Sequence, residues 1–169
     1  MSSRSNPEVL SVLYANGLCA NADYMTLAEA KEVTTLGTIF QGNTDITHFE
    51  EFRYFTGVTK LERYSFWNCD NLETIIIPES VTELDRNIFG LSSANYQGGH
   101  VCKLKYVSGL RNVEKTGHNC MQYCTELVCL DFSSNYTVAD GTLAVSCSFK
   151  TIGDTSQVVN TATNAYFMR

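Results

Sequence analysis

The sequence predicts a repeat solenoid, mostly β, with a helical N-terminal cap. Three observations carry that expectation. The apolar positions of Phe49-x-x-Phe52-x-Tyr54, Val58-x-x-Leu61 and Phe66-x-x-Cys69 return 23 residues later (49 to 72). They reappear as Leu72-x-x-Ile75-x-Ile77, Val81-x-x-Leu84 and Phe89. A fixed period in the twenties marks short units that stack to bury a core none could bury alone. Leu72–Ile77 is β-branched, apolar and partly alternating, which reads as a strand. Finally, 169 residues that are 44% hydrophobic and 18% charged are long and apolar enough for one domain with a real core.

Residues 1–47 differ from the repeats and read as the cap that covers the solenoid's open end. Asn6-Pro7-Glu8 opens a helix with a capping Asn, Pro at the first position and an acidic first turn. After the loop ANGLCANADY, Thr26 and Glu29 form a capping box for a second helix. Its apolar positions Leu27, Ala30 and Val33 recur at helical spacing. Val33–Phe40 reads as a shortened first unit, with Leu36 in an apolar slot and Phe40 as its plug. Gln41–Ile46 is turn chemistry.

Within the best-formed unit, Leu72, Ile75 and Ile77 are expected to point inward and Thr74 and Ile76 outward. Pro78 ends ladder pairing. Val81–Leu84 is a second extended piece, and Asn87-Ile88-Phe89 is expected to be a tight helical turn that plugs Phe89 into the core. Beyond Leu91 the register slips. SSANYQGGH (92–100) reads as an inserted loop, and Lys115–Asn119 as a small bulge. Leu127-x-x-Leu130-x-Phe132 opens a last strand. The expected organisation is a cap at 1–47, repeats at 48–132 and a C-terminal cap at 133–169, all in one structural domain.

The stretch NCDNLETIIIPESVTELDRNIF (68–89) resembles the leucine-rich repeat of BspA-type bacterial surface proteins. That unit runs L-x-x-I-x-I-P-x-x-V-x-x-I-G-x-x-A-F-x-x-C-x-x-L. It agrees here at Cys69, Leu72, Pro78, Val81, Leu84 and Phe89. Asp85 stands at its Gly, and Ser65 and Ile88 at its Ala. FEEFRYFTGVT (49–59) resembles the family's junction between cap and first full repeat. The resemblance covers about residues 49–132 and implies a short-strand leucine-rich-repeat right-handed superhelix. The segment before it resembles one found ahead of such repeats in gut-bacterial proteins, where it looks like a degenerate calcium-binding hand. With Glu29 at position 12 of a calcium loop, positions 1, 3 and 5 fall on Leu18, Ala20 and Ala22, which offer no side-chain oxygen, and Asp23 stands where Gly belongs. No calcium site is expected.

Other chemistry is thin. Net charge is −6 without a basic run, which excludes the usual nucleic-acid and anionic-membrane surfaces. No apolar run approaches a membrane span, so no membrane insertion is expected. The N-terminus lacks an apolar signal-peptide core, which leaves localisation open between a chain whose leader was removed and one that is not exported. Seven cysteines are an odd count for a complete disulfide framework. Cys69, Cys124 and Cys147 share a repeat slot where a thiol packs as a small hydrophobe. Cys19, Cys102, Cys120 and Cys129 have no such explanation. His118 with Cys120, or His100 with Cys102, makes a poor catalytic pair, since neighbours two apart seldom reach the required geometry. A zinc site at His118, Cys120 and Cys124 competes with the core role of Cys124. Glu50, Glu51, Glu79 and Glu83 read as solvated faces rather than a glycosidase dyad. The phosphate-loop, dinucleotide, nucleophile-elbow and HExxH motifs are all missing. No enzyme activity, cofactor or metal is expected. Asn135-Tyr-Thr137 fits a glycosylation acceptor pattern.

A surface remains. Aligning the units puts Glu51, Thr74, Tyr106 and Cys129 in one outward row and Arg53, Ile76, Ser108 and Asp131 in the next. Tyr106 and Ile76 would form an apolar centre, with Arg53, Asp131, Glu51 and Thr74 around it. The alternative is an ordinary sheet face with scattered apolar residues. Two functions follow as expectations. One is a non-catalytic interaction or adhesion module that binds a protein or glycan at a bacterial surface, as the resemblance implies. The other is a structural or accessory subunit of a phage virion, in contact with neighbouring subunits of the assembly.

Overall fold

The computed structural model describes residues 6–117 and 119–130 (129 and 130 by backbone alone) and the backbone of 157–161 and 164–168. His118, Asp131, Cys147 and Asn135-Tyr-Thr137 lie outside the described residues.

The chain begins with α1 (Pro7–Ala15), whose first turn is capped by Asn6 Oδ1 accepting from the Glu8 amide. Helix α2 (Leu27–Glu32) carries the capping box at Thr26 and Glu29. Val9, Leu10, Leu13, Ala30 and Val33 are buried in the common core. Leu27 departs from the helical expectation and is 58% exposed. With only six residues, α2 buries Ala30, and Leu27 in its first turn faces out.

Glu29 does more than cap. Its Oε1 accepts from the Ala20 amide at 2.8 Å, and its Oε2 accepts from the Thr26 amide and hydroxyl, both at 2.7 Å. The carboxylate thus pins the intervening loop to α2 through backbone groups. The Thr26 amide above all, then that of Ala20, holds the Glu29 carboxyl below its ordinary value. A depressed carboxyl stabilises the fold above its unfolded pKa, and that contribution is lost as pH falls through the folded value. The amide resonances of Ala20 and Thr26 should therefore be unchanged between pH 7 and 5 and move together below about pH 4. Glu29→Gln should remove that shared acid transition, and amides that still move together in the variant would show that the carboxylate does not hold the loop.

Three coils follow. The first holds β1 (His48–Phe49), β2 (Lys60–Leu61) and β3 (Phe66–Trp67). The second holds β4 (Thr74–Ile76), β5 (Glu83–Leu84) and β6 (Phe89–Gly90). A short helix, α3 (Ser93–Gln97), precedes the third, which holds β7 (Tyr106–Ser108), β8 (Lys115–Thr116) and β9 (Met121–Gln122). Strand β10 (Cys129–Leu130) opens a fourth. Corresponding strands pair in parallel into three sheets, β1-β4-β7-β10, β2-β5-β8 and β3-β6-β9. Near the C-terminus, β11 (Gln157–Thr161) and β12 (Asn164–Met168) pair antiparallel.

The third side of each coil is a strand, not the helical turn expected at Asn87–Phe89. Phe89 is buried as the plug, but β6 pairs with β3 and β9. The corner before it is turned by Tyr64, Asn87 and Asn119, which share one slot at φ of 70°, 54° and 55°. Asparagine tolerates the left-handed region better than most residues.

The interior is a ladder of rings. Phe40 stacks on Phe66 at 5.5 Å between centroids, and Phe66 on Phe89 at 5.6 Å, with interplanar angles of 19° and 9°. Met121 follows in register with Phe89. Phe49, Phe52 and Phe55 pack together where the cap meets the first coil, and Phe49 and Phe52 both reach Phe66.

Spacing in the structure explains where the repeats drift. Strand β2 leads β5 by 23 residues (60 to 83), and β5 leads β8 by 32 (83 to 115). The nine extra residues match the length of 92–100, which is not a loop throughout but holds α3, capped by Ser92 accepting from the Asn95 amide at 3.1 Å. The bulge expected at Lys115–Asn119 is also corrected. Strand β8 precedes β9 by six residues (115 to 121), as β5 precedes β6 (83 to 89), so nothing is inserted there.

Candidate interaction surface

The four-stranded sheet presents the longest outward rows. Parallel pairing sets His48 beside Thr74, Thr74 beside Tyr106 and Tyr106 beside the backbone of Cys129. Ile76 stands beside Ser108 in the next row. Inward residues Phe49, Ile75 and Val107 are buried and anchor the strands. Neighbouring strands lie about 4.8 Å apart, so the outward side chains sit at fixed spacing with little left to order.

The structure brings Thr74, Ile76 and Tyr106 together on paired strands, whereas Glu51 and Arg53 are not strand neighbours of Thr74 and Ile76. Glu51 and Arg53 lie in a 3₁₀ turn (Glu50–Tyr54) that follows β1, so the expected rows headed by them are corrected. His48 takes the first place instead. The spacing from β1 to β4 is 26 residues (48 to 74), three more than from β2 to β5, and the 3₁₀ turn takes up the difference. Arg53 caps the ring of Tyr54 at 5.2 Å in a cation–π contact.

Tyr106 is 48% exposed, and Thr74 and Ile76 are half-buried. Beside the row, Lys105 Nζ meets Glu73 Oε2 at 3.2 Å across the same pair of strands. Both side chains are more than a third exposed, so this pair contributes about 0–1 kcal/mol and serves mainly as a charged border. The second sheet is different in character. Its outward row is Lys60, Glu83 and Lys115, with Lys60 Nζ on Glu83 at 2.7 Å. That contact raises the Lys60 pKa. Alternating charge makes this a solvated face, and the aromatic centre belongs to the first sheet.

A groove of about 450 Å³ lies where α1 and α2 meet the 3₁₀ turn. Its lining includes Leu10, Met25, Leu27, Glu51 and Tyr54. Tyr24, at 54% exposure, stands on the same lining. Neither His48 nor this groove shows in the apolar pattern of the sequence. His48 was visible only through the correct first register. Helical spacing groups Leu27 with Ala30 and Val33, although a six-residue helix buries too narrow a stripe for it.

The described residues hold no cluster of three or more His, Cys, Asp or Glu side chains placed to bind a metal ion. Among the described residues, no helix is long and apolar enough to cross a membrane.

Comparison with known proteins agrees with this geometry. No curated protein and no solved structure matches the chain. A family model for the BspA type leucine rich repeat region matches residues 17–96 and 47–168, with six copies. The period, the parallel three-sheet coils and a match over most of the length lead to one assignment: the chain belongs to the BspA-type leucine-rich repeat family.

Proposed function

We propose that the protein is a non-catalytic binding module that recognises a protein or glycan surface through the first sheet, centred on Tyr106. The observation that carries this reading is the parallel register, which sets the exposed Tyr106 ring in line with Thr74 and His48 and diagonal to Ile76. Such a row offers large area at low rotamer cost, and aromatic anchors dominate binding hot spots. The Glu73–Lys105 pair supplies a polar rim beside it. Membership of a repeat family whose units present stacked sheet faces supports the same reading.

The test uses the full chain and a Tyr106→Ala/Ile76→Ser double variant. Both are applied to arrayed glycans and surface proteins, and hits are taken to calorimetry. The double variant should lose at least about tenfold in affinity, while its melt stays close to wild type because neither change opens the core. Undiminished binding by the double variant would move the site to the cap groove.

A further inference from the structure

Three cysteines line one corner of the solenoid. Cys69 lies between β3 and β4, Cys102 between β6 and β7, and Cys124 between β9 and β10. All three are buried. Cys69 Sγ donates to the Phe40 carbonyl at 3.0 Å, and burial pushes its thiol up to about 12. Cys120 sits elsewhere, in the buried slot shared with Ser65 and Ile88, and burial raises its thiol further still. Cys102 and Cys124 differ from both. Their sulfurs are 3.5 Å apart across two successive corners, in hydrogen-bond contact. That contact pulls the Cys102 thiol below its ordinary value, against the burial that raises it.

We propose that Cys102 and Cys124 form an oxidisable dithiol that closes to a disulfide by exchange with low-molecular-weight disulfides, stapling one coil of the solenoid to the next. Stacking brings the two corners together, since adjacent strands run about 4.8 Å apart, and disulfide-linked Cα atoms lie about 4.4–6.8 Å apart. The sulfurs therefore need to close from contact distance to a bond, without moving an element. The sequence conceals this pairing because Cys124 corresponds by repeat register to Val101 (101 to 124, the 23-residue spacing of β7 and β10), with Cys102 one residue on.

The exchange balances in two steps. Cys102 loses its proton, and its thiolate attacks one sulfur of the small disulfide. The S–S bond of that molecule breaks, a mixed disulfide forms on Cys102, and one small thiolate leaves. Cys124 then loses its proton and attacks Cys102 Sγ, forming the protein disulfide and expelling the second small thiolate. The two released thiolates take up two protons. The protein dithiol is oxidised by two electrons and the small disulfide is reduced by two. Access runs through the inserted segment 92–100 and Val101 after it, where Val101 is 51% exposed and His100 Nδ1 is paired with Asp70 Oδ2. Local opening of this surface segment bares Cys102 without unfolding the coils.

The staple closes a loop of 22 residues. Removing that loop's freedom from the unfolded chain should raise the melting temperature by roughly 5–10 °C.

The test treats the full folded chain with oxidised glutathione, alkylates the remaining thiols and maps peptides without reduction. The expected product is a Cys102–Cys124 linked peptide, with a melt raised on oxidation and restored by a reductant. Cys102→Ala and Cys124→Ala should each abolish the oxidant-induced rise. Recovery of both wild-type thiols alkylated, linkage of Cys102 to Cys69 or any other cysteine, or a melt that oxidation does not move would each overturn the proposal. The wild-type map decides the pairing even where a variant folds poorly.

Discussion

Phe66→Ala should lower stability by about 3–5 kcal/mol, read as a fall in denaturant midpoint at unchanged slope. Phe66 is the central ring of the ladder. It stacks between Phe40 and Phe89 and meets Phe49 and Phe52 edge-on. Truncation removes the ring's transfer free energy and leaves a cavity that stiff parallel strands on both sides cannot collapse to fill. The loss should spread, because each coil is stabilised by its neighbours and the cap rests on the same rings. Phe66→Leu restores most of the volume and should cost less, about 1–2 kcal/mol. Equal losses from both variants would show that the site is not packed as a ladder.

The second large effect belongs to backbone. Gly90 (φ 100°) and Gly109 (φ 82°) turn the chain where successive coils touch. A Cβ at Gly90 would stand 1.9 Å from the Gln122 carbonyl oxygen, and one at Gly109 would stand 1.9 Å from that of Ile77. Both obstacles are backbone atoms of the paired coil, so an added methyl forces strands apart. Gly109→Ala should cost at least about 2–3 kcal/mol. Gly99 separates the two contributions: its φ is 86° but nothing lies within 4 Å of its Cβ position. Gly99→Ala should therefore cost only the left-handed conformation itself, about 1 kcal/mol. Thermal melts of the two variants measure the difference, and equal shifts would contradict close coil contact at Gly109.

The repeat was legible because its inward slots are apolar in fixed order, and Leu72, Ile75, Ile77, Val81, Leu84 and Phe89 are all buried. The first register was not. Phe49, Phe52 and Phe55 stand three apart, so a shift of three puts one phenylalanine where another was. The structure sets Phe49 beside Ile75 and leaves Phe52 in the 3₁₀ turn, and Ile46 then takes the place before Phe49 that Leu72 takes before Ile75. All of these side chains are buried in either alignment, so hydrophobicity could not choose. The site inherits that ambiguity: the repeat pattern puts Thr74, Ile76 and Tyr106 together, but it also puts Glu51 and Arg53 on a strand where the structure has a 3₁₀ turn. Two-residue strands such as β6 and β9 are also too short to show a period of two. The helix in 92–100 was hidden by its composition, although Ser92 and Gly98 bracket it as cap and stop.

The most direct measurement is the set of nuclear Overhauser contacts across the first sheet. Contacts should link Phe49 to Ile75 and Ile75 to Val107, with His48, Thr74 and Tyr106 in one row. Backbone ladder contacts that pair Phe52 with Ile75 and Glu51 with Thr74, in place of Phe49 with Ile75 and His48 with Thr74, would contradict this register, because they would return the first coil to the 23-residue register and dissolve the row on which the proposed binding face rests.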